Sequence, residues 1–247
     1  VNEDWDFYAL PVDDQPASIF VDLALASRVP ITGTAVMVYV SVKMRAPRPD
    51  GLSSLEEFDE LIAVERSLEA AVKDEERAIY AGRCTAAGYR DFYFYTADAK
   101  VLTVATERAM AEHPNYAFMT DHRDDQEWSV YRDFLHPNAR EMQRIQNRRV
   151  VDLLEHEGDS LDGPRWIDHR AYVATRAVAD ALRSQLLVQG FSVSSEPSTD
   201  DEGIAVDFKR IDRPSEIEAV VLPLFDLVAS LGGTYDGWGC EVERGDG

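Results

Sequence analysis

Through the segment from Val36 to Met44 every second residue is apolar, a set of four valines and one methionine that a strand would turn to one face. Two earlier runs, Trp5–Val12 and Ile19–Leu23, also read as strands. Pro47-Arg48-Pro49-Asp50-Gly51 then enforces a loop. After it the period changes. Phe58, Leu61, Ile62, Leu68 and Val72 make a helical stripe, and Ser54 with Glu57 has the spacing of a capping box. Ala78–Cys84 and Asp91–Thr96 flank Gly88 as a hairpin, and a helix is expected from Asp98 to Glu112. Tyr116–Thr120 and Trp128–Phe134 read as the last strands of this half. From Val36 the order is strand, helix, strand, strand, helix, strand, which is ferredoxin-like: a split βαβ pair with both helices on one face of an antiparallel sheet.

The second half repeats that order. A lead-in helix over Ala139–Glu155 has Asn138 as its cap, with Glu141 three residues on. Ile167–Val173 is a strand, and Thr175 caps a helix striped by Val178, Ala181, Leu182 and Leu186 that Gly190 stops. Phe191–Ser195 and Ile204–Lys209 read as strands around an acidic turn, Ser198–Gly203. Pro214 opens a helix carried by Ile217, Val220, Val221, Leu224 and Val228, in which Pro223 is expected to kink the helix or leave a carbonyl free for another partner. The chain closes with a strand over Thr234–Val242. Tyr235 and Trp238 are three apart, so a bulge at Asp236-Gly237 is needed to bring them into phase with Cys240 and Val242. The expected architecture is α+β: two ferredoxin-like βαββαβ modules, residues 1–136 and 137–247, with extra N-terminal strands and a linking helix.

Composition supports two cores: 247 residues at 45% hydrophobic make two domains of ordinary size. The formal net charge of −21 is shared, with 21 acids against 12 bases after Pro137 and 25 against 13 before it. Such a field repels nucleic acid and anionic membranes and favours basic protein surfaces. Cys84 and Cys240 form no CxxC pair and fit buried thiols in a reducing, cytoplasmic compartment. No apolar run reaches transmembrane length.

Candidate chemistry is sparse. Tyr39, Tyr93 and Tyr95 share the strand face opposite Val40, Phe92 and Phe94, and Gly88–Tyr95 loosely follows an RNA-recognition element, but Arg90-Asp91 breaks it and the acidic field opposes phosphate. A face packed on the other module or on an extra strand is the preferred reading. Asp121-His122-Arg123-Asp124-Asp125 reads as a turn of solvated charge rather than a metal site, because adjacent side chains diverge. Asp168, Arg170, Tyr172, Asp207 and Lys209 fall on the helix-free face as cross-strand ion pairs, and His169 on the core side. No GxSxG, P-loop, dinucleotide fingerprint or HExxH occurs. No catalytic residue, cofactor or metal is expected.

Tyr235-Asp236-Gly237-Trp238-Gly239, the acidic strand after it, the helix from Pro214, the strand Ile204–Lys209, the Gly190-Phe191 turn and the lead-in helix together resemble the family of the regulator of ribonuclease E activity B, over roughly the last hundred residues. Trp5-Asp6-Phe7-Tyr8, Ala17-Ser18-Ile19-Phe20 and Arg90-Asp91-Phe92-Tyr93-Phe94-Tyr95 resemble the domain-of-unknown-function family 695. The first resemblance implies a ferredoxin-like fold and binding to a protein, ribonuclease E or a degradosome component. That family's long acidic C-terminal tail has no counterpart before Gly247. The second implies a domain partnership and no chemistry. The expected function is therefore a non-enzymatic, acidic, protein-binding regulator, with Tyr235, Asp236 and Trp238 as contact residues and Glu241 and Glu243 in support. The alternatives are a small-molecule binder or hydrolase with a site between the modules, and direct RNA binding.

Overall fold

The computed structural model describes residues 3–73, 78–194, 198–200 and 203–244. Packing divides the chain into one unit up to Pro137 and another from Asn138.

In the first unit, strands β1 (Trp5–Val12), β2 (Gln15–Asp22), β3 (Val36–Lys43), β4 (Ile79–Ala86), β5 (Tyr89–Thr96) and β6 (Phe118–Asp124) form one antiparallel sheet in the order β1-β2-β4-β5-β3-β6. Helices α1 (Phe58–Lys73) and α2 (Ala99–Ala111) complete the βαββαβ order that starts at β3. The valine alternation behaves as expected. Val38, Val40 and Val42 are buried beneath Leu61, Leu68 and Leu102 of the helices, with Phe92 and Phe94 from the neighbouring strand. The β1–β2 hairpin extends the sheet beyond β4.

Four local expectations are corrected here. Ser54 and Glu57 make no capping box; the Glu57 carboxylate accepts the backbone N–H groups of Arg45 and Ala46, both at 2.7 Å, so it serves the end of β3 instead. The charged run Asp121–Asp124 is not a turn. It pairs with Tyr39 to Val36 as the edge of the sheet, where charge guards against further pairing. Trp128–Phe134 is not a strand either. Asp125 accepts hydrogen bonds from Ser129 N at 2.7 Å and Val130 N at 3.0 Å and starts a short helical segment through Leu135. That segment covers the helix-free face from within the unit: Trp128 stacks on Tyr95 at 3.7 Å, Phe134 meets Tyr93 edge-on, and Tyr8 Oη donates to the Leu135 carbonyl. Tyr95 is fully buried, which removes it from any stacking platform. In the second unit, Ser198–Asp200, expected within a turn, pairs as a short strand. Residues 201 and 202 of that turn, and Ser195 of the preceding strand, lie outside the described residues.

The second unit opens with α3 (Ala139–His156), capped by Asn138 through Arg140 N and Glu141 N. It continues with β7 (Arg165–Val173), α4 (Arg176–Val188), β8 (Ser192–Val193), β9 (Ser198–Asp200), β10 (Gly203–Asp212), α5 (Ile217–Ser230) and β11 (Thr234–Cys240). The strand order β11-β7-β10-β8 is the ferredoxin-like one, with β9 pairing β10. Ile167, Ala171, Val206 and Phe208 pack under Leu182, Leu186, Val221 and Leu224 from α4 and α5. Helix α5 runs unbroken through Pro223. Among the described residues no helix is long and apolar enough to cross a membrane.

Candidate functional site

β11 is an edge strand, and its register against β7 is the key to the site. Thr234 and Tyr235 pair with Tyr172 and Ala171; the register then slips, and Gly237, Trp238, Gly239 and Cys240 pair with Arg170, His169, Asp168 and Ile167. Asp236 is the extra residue of the bulge. Gly237 has φ +130°, which side-chain-bearing residues rarely adopt, so the bulge depends on glycine. The slip puts Tyr235, Trp238 and Cys240 on the core face together, as their spacing requires, and leaves Asp236 outside.

The core side of the bulge is polar. Tyr235 is 7% exposed and its hydroxyl shares a hydrogen bond of 2.7 Å with His169 Nδ1. His169, 3% exposed, lies flat against Phe208 at 5.3 Å and edge-on to Phe191. Burial pushes its pKa from 6.5 down to about 4, with Asp212 opposing and Arg210 adding, so the ring is neutral near pH 7. The indole N–H of Trp238 donates to Asn147 Oδ1 at 3.0 Å, and Gln143 Nε2 donates to the same oxygen at 3.0 Å. These contacts tie α3 to β11. Arg140 with Asp226 and Arg144 with Glu218 join α3 to α5.

Between α3 and the bulge lies a cleft of about 470 Å³. Asp168, Asp207 and Asp236 give its wall negative charge, and Arg170, the single cation lining it among the described residues, is engaged by Asp207 at 2.7 Å. This is the cross-strand ion pair expected on the helix-free face. Below the cleft, the chain after β11 is anchored by a buried pair. Arg165 donates to both oxygens of Asp159, at 2.8 and 2.6 Å, and Glu243 N donates to Asp159 Oδ2 at 2.7 Å. Burial alone would raise the Asp159 pKa, but the Arg165 hydrogen bonds and the N–H groups of Glu243 and Leu161 hold it below the usual carboxylate range.

The five expected contact residues therefore part company. Tyr235 is a core residue bonded to His169, which removes it from any partner-facing surface. Trp238 is half-buried, with its N–H already committed to Asn147. Asp236, Glu241 and Glu243 are exposed, Glu243 with its carboxylate 3.7 Å from Arg165. The residues that sequence reasoning passed over are Gln143 and Asn147. Their signal was present: they occupy i and i+4 of a stripe that Val150 and Leu154 continue, where polar residues on a buried face call for partners.

Two family models match the chain. Residues 3–136 match the Family of unknown function (DUF695), and residues 144–240 match Regulator of ribonuclease activity B. No curated protein matches. Among solved structures, an unknown protein from Galdieria sulphuraria is similar at 11% identity and TM-score 0.21, over 82% of this chain and 96% of that one. A candidate glycine cleavage system transcriptional repressor is similar at 11% identity and TM-score 0.24, over 84% and 99%. Both scores are too low for the likeness to bear on function.

Proposed function

Given that the chain belongs to the family of unknown function DUF695, whose model spans more than half of it, and carries a region matching the regulator of ribonuclease activity B, we propose that it is a non-enzymatic regulator that binds a protein partner. The finer reading is that the partner is ribonuclease E or another enzyme of RNA degradation. One observation carries this reading: the bulge that closes the regulator-like region turns Asp236 outward at an acidic cleft, with Glu241 exposed just beyond it. A net charge of −21 favours encounter with a basic protein surface and opposes binding to the phosphates of the RNA itself.

The test is affinity capture of ribonuclease E from the same organism by the full chain at low and high salt. Binding is expected to weaken by about tenfold between about 50 and 300 mM salt. Asp236→Ala is expected to weaken it further by roughly fivefold, about 1 kcal/mol, as for a single exposed charge. Capture indifferent to both salt and Asp236→Ala would overturn the electrostatic reading.

A further inference from the structure

We propose that the cleft between α3 and the β11 bulge receives an extended segment of the partner that presents an arginine or lysine side chain. This rests on the protein-binding reading above and assigns it a place and a chemistry.

Three independent observations converge on the cleft. The first is Gly239. Its backbone lies outside the left-handed region, and nothing stands within 4 Å of where its Cβ would be, so neither conformation nor internal packing requires glycine there. A strand ordinarily gains from a side chain at such a position. Its absence leaves the β11 backbone bare where it lines the cleft, which is what close approach of another chain needs.

The second is an unsatisfied polar atom on Asn147, a residue of the cleft wall. Asn147, 2% exposed, keeps Nδ2 without a partner. Its orientation is dictated by Trp238, whose indole N–H can only donate and therefore faces Oδ1, so Nδ2 remains a donor in need of an acceptor. A backbone carbonyl is the acceptor that an extended chain brings.

The third is charge. Asp168 is the register partner of Gly239, and with Asp236 it leaves the cleft negative once Arg170 and Asp207 are paired. A basic side chain is attracted to these carboxylates, and a phosphate or an acidic segment is repelled.

The experiment uses the full chain and calorimetric titration with three probes: a blocked alternating Gly-Arg peptide of about ten residues, its Gly-Glu counterpart, and free arginine. The Gly-Arg peptide is expected to bind, the Gly-Glu peptide not to, and free arginine at least tenfold more weakly. Gly239→Leu leaves the charge untouched, so it separates a shaped site from general attraction to an acidic protein. It is expected to lower Gly-Arg affinity at least tenfold with an equal or higher melting temperature. Unchanged affinity in Gly239→Leu, or equal binding of free arginine, overturns the proposal. Should Gly239→Leu melt lower, Gly239→Ala decides, with about threefold loss expected and unchanged affinity again overturning it. Capture of ribonuclease E that survives Gly239→Leu intact would refute the cleft while leaving protein binding in place. No capture by the unmodified chain would refute the partner reading itself.

Discussion

His169 sits among Phe191, Phe208 and Tyr235 with one ring nitrogen bonded and the other without a partner. Its folded pKa of about 4 lies below the unfolded value of 6.5, so the unfolded chain takes up the proton first as the medium is acidified. The stability held above pH 6.5 is therefore lost progressively down to about pH 4, and amounts to ~3 kcal/mol for the full shift. In an NMR titration, with the resonance assigned by its absence in His169→Gln, the His169 midpoint is expected near 4. A midpoint close to 6.5 would mean that water reaches the ring and that the polar core around Tyr235 is open. The alternation Ile167, His169, Ala171 already placed this histidine on the core side. Its bond to Tyr235 was not legible, because 66 residues separate the two and only strand pairing joins them.

At the scale of the element, β11 uses its two glycines in opposite ways. Gly237 is required by its φ of +130°, whereas Gly239 is not required by backbone or packing. Gly237→Ala is expected to destabilise the chain by about 1–3 kcal/mol. Gly239→Ala is expected to be neutral or to stabilise it by about 0.5–1 kcal/mol. Urea denaturation of the two variants side by side checks this, and equal losses would mean that the bulge is misplaced. The bulge was legible from Tyr235 and Trp238 standing three apart around Asp-Gly. The Trp128–Phe134 segment was misread for an equally physical reason. Its apolar and aromatic residues suit a strand as well as a short helix, and the Asp125 carboxylate, held beside Tyr95, takes up the N–H groups of Ser129 and Val130 that open the helical form.

For the whole molecule, packing separates at Pro137 and Asn138, and each side has its own sheet and core. We propose that the two units are independent modules. The second holds the Asp159–Arg165 pair, the α3–α5 ion pairs and the cleft entirely within itself. Residues 138–247 expressed alone are thus expected to melt cooperatively and to keep the Gly-Arg peptide affinity within about twofold, as expected for an autonomous domain. A non-cooperative melt would show that the first unit completes the fold of the second.

Both βαββαβ runs, the buried valine face and the acidity of both halves were determined by the sequence alone, because helix and strand periods and net charge are local or additive properties. Tertiary structure alone decided what covers each sheet face and which polar groups meet. Glu57 turned from cap to strand-end partner, Asp125 started a helix where a strand was expected, and Tyr235 moved from candidate contact to core. The cleft belongs to this second class. It exists because α3 and β11, about ninety residues apart, are joined by the bond from Trp238 to Asn147, and a long-range contact of that kind leaves no period in the chain to read.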